Sequence, residues 1–208
     1  MTSIDWSCPK PRSGLAGALD RFIGPGATRA ELLLQSIIPL AAVVFLLGYA
    51  GHANLNWTVL QQSVAAMLAF DVAGGVVTNA TSSAKRWFHR PGQRRRDHLG
   101  FISLHLSHLA IVSWLFMSGD ANWFVMASGL LLVTSLVVIL TPVYLKRPVA
   151  HFAFACSLLV VQYAMQSPQG LEWFLPLFYL KLLLSHLPPE APFRPDRHAV
   201  EKISLHHV

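Results

Sequence analysis

Apolar residues in this chain fall in long runs rather than in alternation. The runs cover about 33 to 50, 58 to 79, 98 to 117, 123 to 141, 149 to 165 and 171 to 187, with short polar breaks between them. At ~1.5 Å of rise per residue each run crosses a ~30 Å hydrocarbon core with little slack. The pattern therefore predicts an all-α fold: a polytopic membrane protein with a six-transmembrane-helix bundle over 33–187. A tail over 1–32 precedes the bundle and a tail over 188–208 follows it.

The N-terminal tail carries a different periodicity. Leu15, Leu19, Phe22 and Ile23 share one face at helical spacing, which predicts a short amphipathic helix lying at the membrane interface. Pro25-Gly26 ends it, and Thr28 with Glu31 has the spacing of a capping box for the first span. Charges, Pro and Gly are mixed before the first run, so the first span is expected to serve as an uncleaved insertion signal. The stretch from Pro188 to Pro195 is too rich in Pro for a helix and is expected to run along the cytoplasmic face.

Composition agrees with the pattern: 53% of residues are hydrophobic, 12% are charged and the mean hydropathy is +0.47. Charge then orients the bundle. The breaks at 51–57, 118–122 and 166–172 hold no Lys or Arg, whereas every cation except Lys181 falls in the tails, in the loop 80–97 or at Lys146 and Arg147. The positive-inside rule puts both termini in the cytoplasm of a cell with an inner membrane, and Trp57, Trp123 and Trp173 sit at the opposite boundary, where indole prefers the headgroup layer. The pI near 9.8 is thus a topology signal. It points to membrane lipids and anionic headgroups at the cytoplasmic face as partners, and not to nucleic acid. Cys8 and Cys156 are assigned to different compartments of the fold and imply no disulfide.

Asp71 is the residue with the strongest claim to chemistry. It is the acid that interrupts an apolar run, and a carboxylate at membrane depth is costly unless paired, protonated or wetted. Asp71, Gly75, Thr78, Asn79 and Ser82 form a polar stripe on the second span, and Gly74 and Gly75 make room for a neighbour. On the third span His98, Phe101, His105 and His108 share a face. Counting ~1.5 Å per residue from the boundary brings Asp71, His105 and His108 to one level. Imidazole and carboxylate together suit a divalent metal such as zinc, so Asp71, His105 and His108 are the candidate catalytic residues and, with His151, the candidate metal ligands. Asn79, Lys181, Arg86 and Arg90 are the candidates for receiving substrate. Lys181 has a second expectation, that of simply neutralising Asp71.

The outer half is apolar apart from Gln61, Gln62, Gln162, Asp120 and Glu172, and the run from Val125 to Leu140 reads as lipid-facing scaffold. Nucleophile-elbow, P-loop and zincin motifs are absent. In general layout, an Asp and several His toward the cytoplasmic ends of a small bundle is similar to the seven-span membrane hydrolases that include alkaline ceramidases. The chain lacks their Ser and His together on an early span and their late paired-His span, so no residue role is carried over. The residues favour a metal-assisted hydrolase acting on a lipid or amphiphile, ahead of a small proton-coupled transporter or channel and a non-catalytic scaffold.

Overall fold

The computed structural model describes residues 2–195, and the rest of the C-terminal tail expected over 188–208, with its cations Arg197 and Lys202, lies outside them. The first helix, α1 (Gly14–Ile23), is followed by α2 (Arg29–His52) and α3 (Val59–Ala80). Next come α4 (Ser82–Phe88), α5 (Arg95–Leu104), α6 (Leu106–Phe116), α7 (Ala121–Leu140) and α8 (Val143–Ala164). The last helix is α9 (Phe174–Tyr179), continued by a π-helical piece over Leu180–His186.

Local chemistry starts these helices where the sequence places the signals. Thr28 and Glu31 cap α2 reciprocally, the Glu31 amide donating to Thr28 Oγ1 at 3.2 Å and the Thr28 amide to Glu31 Oε2 at 2.7 Å. Thr58 and Gln61 repeat the box on α3. Asp120 accepts from the amides of Asn122 and Trp123 to start α7. Such caps satisfy amides that the first turn leaves without partners.

Among the described residues, five helices are long and apolar enough to cross a membrane: α2, α3, α5 with α6, α7 and α8. The run at 171–187 is shorter as a helix, because residues from Met165 to Trp173 lie outside any helix and Gly170 turns there at φ +82°. Phe174–His186 spans about 20 Å even at ~1.5 Å per residue, two thirds of a hydrocarbon core. It is also the most enclosed part of the bundle, with Phe174, Phe178, Tyr179, Leu182 and Leu183 fully buried. A helix wrapped in protein need not reach lipid at both ends.

The core forms where α3 packs against α2 and against the last helix, with α7 and α8 closing the other side. The Tyr179 hydroxyl donates to the Ala127 carbonyl at 2.8 Å and joins the last helix to α7. That helix is therefore not plain lipid-facing scaffold: Ala127, Ser128, Leu131, Ser135 and Val138 are buried along one side, while Val125, Val133 and Val137 point outward.

The loop at 80–97 departs most from expectation. It contains α4, tucked under the bundle, with Lys85 and Arg86 buried. Glu31 Oε1 accepts from the Ser83 amide at 2.9 Å, tying the start of α2 to α4. The tails also acquire structure, since β1 (Thr2–Ile4) pairs antiparallel with β2 (Phe193–Pro195), Ile4 opposite Phe193.

Candidate functional site

Asp71, in the middle of α3, meets two side chains from helices distant in sequence. Its Oδ2 accepts from Lys181 Nζ at 2.6 Å and lies 3.1 Å from His108 Nε2. The depth comparison anticipates the contact with His108, and the second expectation for Lys181 anticipates the other. Gly75, one turn on, permits it: a Cβ there would overlap Cδ and Cε of Lys181, so the lysine stem crosses α3 over a bare backbone. Gly74 does the same for α2, where a Cβ would stand 3.1 Å from Cβ of Pro39.

Exposure differs sharply within the trio. Lys181 is enclosed at 3%, whereas the Asp71 side chain is 31% exposed. Asp71 lines a cavity of about 390 Å³ between α1, α2 and α3, together with Gln35, Gly74, Gly75 and Thr78. Lys181 thus balances the carboxylate from behind while the carboxylate faces open space. The π-helical winding around Lys181 lets Lys181 and His186 leave the last helix in directions a regular α-helix would not give them, and such windings often mark functional positions.

His105 does not join the carboxylate. It sits at the break between α5 and α6, its Nδ1 paired with the Phe101 carbonyl oxygen at 2.8 Å, and its ring stacks on His108 with centroids 5.1 Å apart and planes 13° from parallel. Ring lone pairs in nearly parallel planes do not converge on a point ~2.0 Å from both, as a zinc ion requires. His151 lies exposed on α8 with Nδ1 against the Arg147 carbonyl oxygen. Among the described residues no group of three or more His, Cys, Asp or Glu side chains is placed to hold a metal ion. The arrangement expected of Asp71, His105, His108 and His151 as a ligand set therefore does not form.

The candidates for receiving substrate also separate. Asn79 is buried near the end of α3. Arg86 is enclosed, within 3.7 Å of Asp5 and 3.5 Å of the Gly26 carbonyl oxygen, so it fastens the N-terminal segment to α4 instead of facing a headgroup. Arg90 lies 3.6 Å over the Trp87 ring and donates to the Trp87 carbonyl. Both basic side chains are taken up by local structure.

A second group of histidines closes the end of the bundle near the termini. His98 Nδ1 and His186 Nε2 are 3.3 Å apart, His89 Nε2 lies 3.0 Å from the His186 carbonyl oxygen, and Phe101 stacks on His186 at 4.0 Å. Burial pushes His89 down to about 3, helped by the neighbouring His98 and Lys85. Lys85 Nζ donates to the carbonyls of Ser185 at 2.7 Å and Pro188 at 2.8 Å, and burial pushes it down to about 8. These carbonyls end the last helix, where backbone acceptors are left over and a cation is favoured.

No protein-family model, curated protein or solved structure matches the chain. The site is accordingly read from its own geometry. Gln35 is the cavity residue that sequence reasoning passed over; a glutamine one turn inside a span boundary gives no signal of its own until the cavity is known.

Proposed function

We propose that this is a multi-pass inner-membrane enzyme of the hydrolase class acting on an amphiphile, with Asp71 as its working carboxylate. One observation carries the reading. Asp71 is held on Oδ2 by Lys181 and His108 yet remains one-third exposed onto an apolar cavity. A charge at membrane depth that is both balanced and open is a functional arrangement by default. Lys181 balances the charge of the carboxylate from the protein side, and His108 fixes its orientation. In the proposed step Asp71 takes a proton from water as the water oxygen bonds to the acyl carbon. The ester C–O bond then breaks, and the leaving alkoxide takes that proton back.

In this reading six segments cross the membrane, Phe174–His186 among them, both termini are cytoplasmic, and α1 rests its exposed Leu15, Leu19 and Phe22 on the bilayer. Arg94, Arg95 and Arg96 at the start of α5 then face anionic headgroups. Reporters fused after Arg95 and inserted at Asp120 are expected on the cytoplasmic and external sides respectively; a cytoplasmic signal at Asp120 overturns the topology. The enzymatic reading is tested by fatty-acid release from a total lipid extract by protein in nanodiscs. Wild type is expected to release it and Asp71→Asn to lose at least a hundredfold in rate, and an equal rate in the two sinks the reading.

A scaffold reading has its own support, because Lys181 packed on Gly75 and paired with Asp71 fastens the last helix to α3 without further chemistry. It expects Asp71→Asn combined with Lys181→Met to be stable and fully functional.

A further inference from the structure

Gln35, early in α2, is nine-tenths buried, and neither its Nε2 nor its Oε1 has a hydrogen-bond partner among the described residues. A buried amide with both ends unmatched is heavily penalised. The surroundings hold it in place: Pro39, one turn on, has no N–H for the Gln35 carbonyl, and its ring seats α2 against Gly74 of α3. The Gln35 side chain lines the same cavity as Asp71. Asp71 Oδ1 accepts no protein hydrogen bond among the described residues, both partners being on Oδ2.

The cavity has two chemical parts. Its polar part is Gln35, Asp71 and Thr78, with Ser36, whose hydroxyl already donates to the Leu32 carbonyl, and among the described residues no Lys, Arg or His lines it. Its rim is Phe22, Leu32, Leu40 and Phe70, all exposed on the outside of the bundle. An apolar rim on the flank of membrane-crossing helices opens sideways among acyl chains. At about 390 Å³ the space falls in the ordinary range for a small ligand.

We infer that this cavity binds a neutral, hydroxyl-bearing amphiphile, its headgroup between Gln35 and Asp71 and its chain along Phe22, Leu40 and Phe70. A hydroxyl donates and accepts at once, so it satisfies Gln35 Nε2 while donating to Gln35 Oε1 or the carboxylate. A phosphate or carboxylate headgroup would instead face Asp71 with no cation on the cavity wall. The charge of Asp71 is already balanced by Lys181, which leaves no net charge for a cationic headgroup. This rests on, and deepens, the reading of Asp71 as the working carboxylate, since it names the substrate class of that site.

The test uses the full chain in phosphatidylcholine nanodiscs and measures binding of 1-monooleoylglycerol, methyl oleate and 1-oleoyl-lysophosphatidate. Saturable binding of the monooleoylglycerol, about tenfold or more tighter than either other lipid, is expected. Gln35→Leu should lose roughly tenfold in that affinity without a fall in Tm, since it removes no protein contact. Leu40→Trp, which narrows the rim without touching a buried group, should give a similar loss. Equal affinity for the three lipids, tighter binding of the lysophosphatidate, or unchanged affinity in both variants overturns the inference. If turnover depends on Asp71 but monooleoylglycerol does not bind, the inference alone fails. If Gln35-dependent binding stands while turnover survives Asp71→Asn, the enzymatic reading alone fails.

Discussion

Two buried lysines face opposite situations in this bundle. Lys85 hydrogen-bonds to neutral acceptors, the carbonyls of Ser185 and Pro188, with the Glu190 carboxylate acting on it only through space, and it caps the end of the last helix. Lys181 lies in the same helix and meets a full carboxylate, which itself borders a cavity. Carbonyls left over at a helix end are a structural demand that any well-placed cation meets. A carboxylate introduced into an apolar span creates its own need for a cation, and nothing about packing requires it. On the proposed function, the contrast separates a lysine that completes the fold from one that serves a site.

The largest expected effect comes from unbalancing the pair. Lys181→Met leaves a carboxylate in the bundle with only His108, and a loss of ~3–5 kcal/mol in unfolding free energy is expected, as for other broken buried pairs. Asp71→Asn with Lys181→Met should recover most of that stability but no lipid turnover. Recovery of both would make Lys181 as structural as Lys85 and erase the comparison. Gly75→Ala tests the same site by volume: the added Cβ overlaps a lysine stem that is enclosed and has no room to retreat, so ~1–3 kcal/mol of destabilisation and a fall in turnover are expected. A neutral result would mean that the lysine can take another route.

Lys85→Met should lose about 1–3 kcal/mol by orphaning two buried carbonyls. Turnover per folded molecule should persist, which a lipid-release assay normalised to folded protein will show. A smaller effect concerns acid. The His89 imidazole lies near 3 in the fold, against ~6.5 when unfolded. Between these values the unfolded chain binds a proton that the fold does not, so stability falls as pH drops from about 6.5 toward 3. At pH 5 the contribution is ~2 kcal/mol. His89→Gln should flatten the dependence of Tm on pH between 6.5 and 5, although His98 and His186 share the enclosure.

Much of the fold is legible in the sequence because membrane helices announce themselves by length. The cap at Thr28 and the close approach at Gly75 follow from residue chemistry alone. Asp71 and His108 are legible as a pair because two antiparallel helices share a rise per residue, so depth can be counted from their ends. What is hidden has physical causes. A buried lysine such as Lys85 looks like any loop cation until its carbonyl partners, a hundred residues later, are in place. The seam of α7 through Ala127, Leu131 and Val138 is invisible because the outward face is equally apolar. Stacking of His105 on His108, rather than convergence, depends on the helix break at His105, for which the sequence gives no proline or glycine warning.

The short clasp between Thr2–Ile4 and Phe193–Pro195 bears on how many times the chain traverses a bilayer. Ends hydrogen-bonded to one another lie on one side, and a path that starts and finishes on one side has made an even number of crossings. The five long helices give an odd number. On the proposed topology, parity calls for a return passage by the chain through Met165–His186, the extended stretch completing what the short helix begins. Such a path makes that last helix an interior strut, with Lys181 held at its middle and enclosed by the helices around it.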